Sequence, residues 1–395
     1  GVSLGTGTSF TTPSISSTTT YYVDATSSGC TTASRTAVTA TVNNVPTVEV
    51  ASSSVCVGST IATTSTWSPT ELGSSVALWL DVADASTITQ SGGEVNQWND
   101  KSGNNRNATQ ATPSLRPSYN PTGFNGLPSL AFDNDYMSSN VAAGTFPSVF
   151  SAYIVFQKTG ANNTYEAVPV NRTIGHVPRP FDGYWNSRLL GNSSSYSGLS
   201  GNDIRTLTNP TLLGIQAKST SYREWKNGTL THTPNGSYHY SDDATTIDIA
   251  TRNDRATLFR GNIAEIVLVN TELSDDDRQK LEGYLAHKWG LTANLPVGHP
   301  YKTNAPIITG TWTSSNPAVA TIDNNGVITG VSAGTATFTF TTSNGCSSTT
   351  SAITVLAPPT ITGTTPDSRC GTGTVALGAT ASAGTINWYA ASSGG

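Results

Sequence analysis

From residue 335 to 341 the chain alternates threonine with Ala336, Phe338 and Phe340, the period-two pattern of a strand with one buried face. Asn324-Asn325-Gly326 supplies a hairpin turn just before Val327 and Ile328. Residues 310–346 therefore read as most of a small β-sandwich whose opening strand is missing. A sheet without that strand would leave a row of unpaired backbone groups, so the missing piece is expected elsewhere in the chain. The β-branched segment 47–67 is the candidate. Joined, residues 47–73 and 305–356 make one discontinuous domain of ordinary sandwich size, and everything between them becomes an insertion.

The insertion, 74–304, shows strand-like runs at 76–81, 129–132, 152–157, 211–217, 222–225, 247–250 and 263–270, with Asn227-Gly228 as a hairpin turn. One helix is predicted over 274–290. Ser274 is its N-cap with Asp277 three residues on, and Asp275 and Asp276 suit the positive end of the helix dipole. Leu281, Leu285 and Trp289 line one face, and Gly290 ends it. The two ends of the chain each read as half a domain. Residues 1–45 carry strand-like 20–23 and 37–42, and 357–395 carry the alternating run 374–380 and then Ile386-Asn387-Trp388-Tyr389. Placed in the order 357–395 then 1–45, they present Cys370, Trp388, Tyr22 and Cys30 in succession, the Cys, Trp, Tyr, Cys order of an immunoglobulin-like sandwich. The alternative is that they are halves of two different neighbouring domains.

Composition divides the chain at the same places. Residues 74–302 hold 20 acidic and 18 basic side chains, whereas the rest of the chain holds five acids and two bases. Net charge is −5 with no basic patch, which argues against nucleic acid as a partner. No apolar run is long enough to insert in a membrane, and a chain opening on Gly1 without a visible signal peptide is expected to be a mature product or a piece of something longer. Four widely spaced cysteines, with no C-x-x-C pair, argue against zinc and for an oxidising, extracellular setting.

The run from Trp312 to Ala336, WTSSNPAVATIDNNGVITGVSAGTA, resembles the core of bacterial immunoglobulin-like domains of group 2. Similar domains with cysteines in the "VCVGST" and "NGC" positions occur in giant surface adhesins of Bacteroidota, and that resemblance implies an intra-chain Cys56–Cys346 disulfide. The joined ends, "WYAASSGG" leading to "TTYYVDA", resemble short immunoglobulin-like repeats of the same adhesins. They imply one period of a tandem array, with Cys370 of one repeat bonded to Cys30 of the next and neighbouring copies as head-to-tail partners. The insertion resembles a laminin-G-like or concanavalin-A-like jelly roll, through "LWLDVADAST" (78–87), "WNDKSGNNRNA" (98–108), "GLPSLAFD" (126–133) and "GNIAEIVLVNTELSDDDRQKLEGYLAHKWGL" (261–291). The expected fold class is thus all-β: immunoglobulin-like sandwiches plus an inserted jelly roll with one short helix.

Catalysis is not expected. The E-x-D-x-x-E strand motif of jelly-roll glycosidases is absent, as are H-E-x-x-H, G-x-S-x-G and a P-loop. Glu265 reads as structural, and Glu224 is as consistent with a solvent-facing position. Calcium is the possible cofactor: Asp133 and Asp135 form an acidic loop and Asp248 and Asp254 flank another, although an Asx-rich turn without an ion accounts for them equally. A glycan platform would need exposed aromatic and polar side chains, for which Tyr184, Trp185, Arg188, Tyr238 and Tyr240 are candidates, packing under long loops being the competing explanation. The resemblances imply a repeat of an extracellular adhesin filament at the bacterial cell surface, exported by the type IX route and serving gliding motility, that binds polysaccharide. A purely structural spacer is the alternative.

Overall fold

The computed structural model describes residues 3–15, 18–27, 30–43, 45–141, 149–159, 170–174, 207–217, 222–232, 244–251 and 258–390. It is an all-β protein with a single α-helix among the described residues. The chain divides into two compact units, one of Gly1–Asn44 with Trp67–Pro306, the other of Val45–Thr66 with Ile307–Gly395.

In chain order, β1 (Thr19–Val23), β2 (Thr26–Ser27), β3 (Cys30–Thr31) and β4 (Thr36–Ala40) come first, β1 pairing with β4 and β2 with β3. Then follow β5 (Glu49–Val50), β6 (Ser54–Cys56) and β7 (Thr60–Thr64). The long segment from Trp67 to Pro306 holds β8 (Val76–Asp81), β9 (Ile88–Ser91), β10 (Glu94–Trp98), β11 (Ala108–Thr109), β12 (Ser118–Phe124), β13 (Leu127–Phe132), β14 (Met137–Asn140), β15 (Phe150–Lys158), β16 (Val170–Ile174), β17 (Thr211–Ala217), β18 (Tyr222–Lys226), β19 (Thr229–His232), β20 (Ala244–Ile249), β21 (Gly261–Val269) and the helix α1 (Asp275–Lys288). The last part supplies β22 (Gly310–Ser314), β23 (Ala320–Ile322), β24 (Val327–Gly330), β25 (Gly334–Ala336), β26 (Phe338–Thr342), β27 (Ser347–Thr349), β28 (Ile353–Leu356), β29 (Ile361–Thr365) and β30 (Gly378–Ala381).

In the segment 67–306 the strands follow one path, β16-β20-β14-β11-β10-β12-β13-β21-β15-β17-β18-β19, with β8 added on β21 and β9 on β10. The path folds back on itself, because side chains from both of its halves meet in one core. Met137, Ile247 and Ile249 come from one half, and Ile154, Leu213 and Ile266 from the other. On the central strands alternate residues point away from that core, as the pleat requires, and α1 covers them. Ser274 caps the helix, its hydroxyl accepting the Asp277 N–H at 3.1 Å. At the other end Gly290 takes φ +68, and the Leu291 N–H donates to the Ala286 carbonyl at 2.7 Å, the left-handed turn that closes many helices.

In the second unit, β7 pairs antiparallel with β24, β5 pairs with β7, and β6 lies parallel to β28. Two strands from upstream of the long segment, β6 and β7, are therefore laid against strands that follow it, and β5 is added on β7. The core is small and aromatic: Trp312 and Phe340 meet at a tilt with 4.9 Å between ring centres, and Phe338, Ile328, Ile353 and Val55 are buried as well. Thr63 donates to the Gly326 carbonyl at 2.8 Å in that turn, where Gly326 has φ +78. The junctions lie at 66/67 and 306/307, not at 73/74 and 304/305 as expected from the sequence. The stretch after Trp67 contains a 3-10 turn, Pro69–Ser75, that belongs to the long segment by running straight into β8.

The predicted Cys56–Cys346 bridge is not formed; both cysteines are free. The strand register gives the reason. Cys56 sits opposite Leu356, one step beyond the Val355–Gly334 pair, whereas Cys346 lies in the turn after Thr342, to whose N–H its carbonyl accepts. Cys56 thus belongs to the sheet β25-β28-β6, whereas Cys346 sits in the β26-β27 turn of a different sheet, β22-β26-β27. Cys370 is exposed and free.

Candidate functional site

The chemically densest place in the structure is the layer between α1 and strands β8 and β21. Asp81 and Glu265 are register partners on these antiparallel strands, and both point toward the helix. Such directly opposed residues have side chains close enough to interact. Glu265, fully buried, receives four donors: Trp79 Nε1 at 2.7 Å and Tyr284 Oη at 3.1 Å on one oxygen, Trp289 Nε1 at 2.6 Å and Lys288 Nζ at 2.8 Å on the other. Asp81 is held by Lys288 at 2.6 Å, by Lys101 at 2.9 Å and by the Ala83 N–H at 3.1 Å. Lys288 thus bridges the two carboxylates.

Each part is placed by local sequence. Tyr284 and Lys288 lie four residues apart, hence on one face of α1, and Trp289 follows at its C-cap. Lys101 is presented by a turn that Asp100 organises, its carboxylate accepting from the backbone N–H groups of Trp79, Ser102 and Arg106 at 2.9 to 3.0 Å. The ammonium of Lys101 lies 4.6 Å from the Trp79 ring centre and bonds Asp84 at 3.0 Å.

Electrostatics follow the burial. Desolvation raises the Glu265 carboxyl above its ordinary range; Lys288 opposes that rise and Asp81 adds to it. Burial alone would lower Lys101, but Asp81 and Asp84 outweigh it and hold its ammonium above the ordinary lysine value. Opposed carboxylates are the raw material of glycoside hydrolysis. Here a lysine stands between them, and every oxygen already has a donor. The adjoining hollow, lined by Pro69, Thr70, Gly73, Val76, Trp79, Lys101 and Ser102, encloses about 60 Å³.

A second buried ionic group lies further along the helix. Arg278 Nη1 donates to both oxygens of Glu282 at 3.0 and 2.8 Å and the guanidinium lies 4.9 Å from the Trp225 ring centre, while His299 Nε2 approaches Glu282 at 3.2 Å. Neither group was foreseen. A charged pair at i and i+4 on the face that carries Leu281 and Leu285 looks from sequence like an interruption of the apolar stripe.

The predicted site residues have separate fates. Asp133 pairs with Arg260 at 3.2 Å, and its N–H donates to Asp135 at 2.9 Å. Asn134, at φ +64, accepts from Arg260 at 2.8 Å. This is the Asx-type turn, closed by an arginine. Asp248 is buried in β20 and accepts from Ser138 at 2.6 Å. Asp254, Tyr184, Trp185, Arg188, Tyr238 and Tyr240 lie outside the described residues. Among the described residues no three His, Cys, Asp or Glu side chains are grouped to hold a metal ion. Glu224, open to a solvent-facing reading, is buried in β18. No helix among the described residues is long and apolar enough to cross a membrane.

The class these features define is an all-β protein with immunoglobulin-like parts. A family model described as "Ig-like domain CHU_C associated" matches residues 1–43, and one described as "Bacterial Ig-like domain (group 2)" matches 290–353. The second match starts at Gly290, before the first strand of the later part at Gly310, and the strand that completes that sheet is β7, from far upstream. A search of curated proteins gives no match. Among solved structures the chain is similar to domain 4 of AbnA, an extracellular arabinanase of Geobacillus stearothermophilus in complex with arabinotriose, at 13% identity and TM-score 0.33, over 52% of this chain and 98% of that one. It is also similar to a Trypanosoma rangeli sialidase in complex with sialic acid, at 13% identity and TM-score 0.35, over 53% of this chain and 33% of that one. A mutant GH54 arabinofuranosidase gives 13% identity and TM-score 0.34, over 62% of this chain and 66% of that one. The chain thus spans about a third of the sialidase's length.

Proposed function

We propose that this chain is a repeating segment of an extracellular adhesin filament of the Bacteroidota type, exported by the type IX route, in which the segment 67–306 is a laminin-G-like jelly roll that binds surface polysaccharide. The observation that carries the reading is the pair of immunoglobulin-like matches, at 1–43 and 290–353, on either side of a large all-β segment. The terminal segments support tandem use. Tyr22 is 66% exposed on β1, and Trp388 and Tyr389 are 59% and 71% exposed, side chains that an immunoglobulin-like sandwich buries. In the proposed array the residues 357–395 of one repeat and 1–45 of the next complete one domain, with Cys370 and Cys30 bonded across it. Many weak sites on one fibre would give avidity without tight individual binding.

The protein is proposed to be non-catalytic: Asp81 and Glu265 hold a helix in place. A second reading, a spacer without ligand, is favoured by one observation. The tryptophans described within 67–306, Trp67, Trp79, Trp98, Trp225 and Trp289, are all buried, so among the described residues they offer no platform. Presenting the whole chain to a polysaccharide array separates the two readings. Binding that is lost on changing Trp185 and Tyr240 to alanine is the expected result; an array without hits would leave the spacer reading.

A further inference from the structure

The second unit receives the chain along the two-residue strand β5, paired to β7, and then along β6, and β28 leads the chain away from it; β6 and β28 run parallel. Ser54, Val55 and Cys56 stand opposite Thr354, Val355 and Leu356, with Val55 and Val355 buried. Further hydrogen bonds close the ladder at both ends, Thr354 N–H to the Ser53 carbonyl and Val57 N–H to the Leu356 carbonyl, each at 3.0 Å. Tension on the chain pulls β6 toward its beginning and β28 toward its end. Two parallel strands drawn that way slide along each other, so all the bonds between them must yield together.

The segment 67–306 joins the same unit quite differently. The chain leaves at Thr66 and returns at Ile307, residues that form an antiparallel bridge, reinforced by Ile308 N–H to the Ser65 carbonyl at 2.7 Å. On the other side of the junction, Trp67 N–H donates to the Pro306 carbonyl at 3.1 Å. The whole segment is therefore contained in the loop that β6 and β28 close. Once they part, its two adjacent ends are drawn directly apart, and rungs in that geometry open one at a time.

We propose that the β6–β28 pair is a shear clamp which carries tension past the segment 67–306, so that the large β-domain stays folded while the chain is stretched. The biological use of the clamp rests on the filament reading; the order of events it dictates does not. The test is to hold the full chain by its two ends and stretch single molecules. The clamp is expected to break first, followed by a step of about 800 Å as the roughly 240 residues from Trp67 to Pro306 extend. A step of that length before the clamp breaks would overturn the proposal.

Two variants sharpen the test. Val57→Pro removes the N–H that donates to Leu356 and is expected to lower the first rupture force and leave the second unchanged; an unchanged first force would refute the clamp. Should that variant fold poorly, L356C in a C30S, C346S, C370S background sets two thiols opposite each other across neighbouring strands, about 5 Å apart and within disulfide reach. Oxidised, it should show neither step until a reductant is added; a persisting 800 Å step would count against the proposal. The polysaccharide array is blind to the order of rupture and the stretching experiment to glycans, so either reading can fail alone.

Discussion

The two kinds of β-structure in this chain are held together by different means. The segment 67–306 has a broad apolar core of Ile, Leu, Phe and Trp, and on its outer side it encloses charge: Asp81, Glu265 and Lys288 in one group, Arg278 and Glu282 in another. The smaller sandwich has next to no charge and depends on a few aromatic contacts and on strands brought from both sides of a long detour. A domain with apolar bulk to spare can accommodate desolvated ions and gain a fixed helix position. One of some eighty residues has less apolar surface to bury and keeps its interior free of them.

The largest expected effect comes from removing the carboxylate that four donors share. Glu265→Ala leaves two indole N–H groups and the Tyr284 hydroxyl without their acceptor and Lys288 with Asp81 alone, and should destabilise the large domain by about 3–5 kcal/mol. Chemical denaturation should then show the transition of the large domain shifted, with that of the small sandwich in place. Phe338→Ala reverses the pattern. Emptying the small core costs about 3–5 kcal/mol there and should unfold the sandwich near ambient temperature while the large domain's melting is unaffected. Joint movement of both transitions in either variant would show that the two units do not fold independently.

The smallest effect is the one pH reveals. Lys101 has its folded-state pKa raised, so its contribution is present below the ordinary lysine value of about 10.4 and is lost as pH rises through the higher folded value. Because the side chain is a quarter exposed, the contribution is modest, about 1 kcal/mol after screening. The large domain of the wild type should weaken across that alkaline window, and Lys101→Met should flatten the loss, as read by melting temperature between pH 9 and 11.

Much of this was legible from residue order alone, where the physics is local. The Asn-Gly turns and the Ser274 cap act within a few residues, and each predicted its element; the alternation at 335–341 predicted the buried face of Ala336, Phe338 and Phe340 but as one strand, where the structure has two, β25 and β26, in different sheets. The need for a strand from upstream was legible too, since an unpaired backbone row is a deficit that can be counted. The ionic layer was not. Trp79 and Glu265 stand 186 residues apart, and nothing in "LWLD" or "YLAHKW" announces that the two motifs face each other across a strand and a helix. The disulfide failed for a related reason: sequence positions matched those of cysteine-bearing relatives, but which sheet of the sandwich each cysteine joins is a matter of long-range pairing.

The bridge between Thr66 and Ile307 also sets a timetable. During synthesis β6 and β7 emerge early, and their partners β28 and β24 only after the long segment has been made. Closing a loop of that length unaided would cost the chain about 5 kcal/mol of entropy. Once the segment has folded and brought Trp67 beside Pro306, that cost has already been met. The waiting strands expose open edges in the meantime, so a defect that slows the large domain should surface as aggregation through the small one.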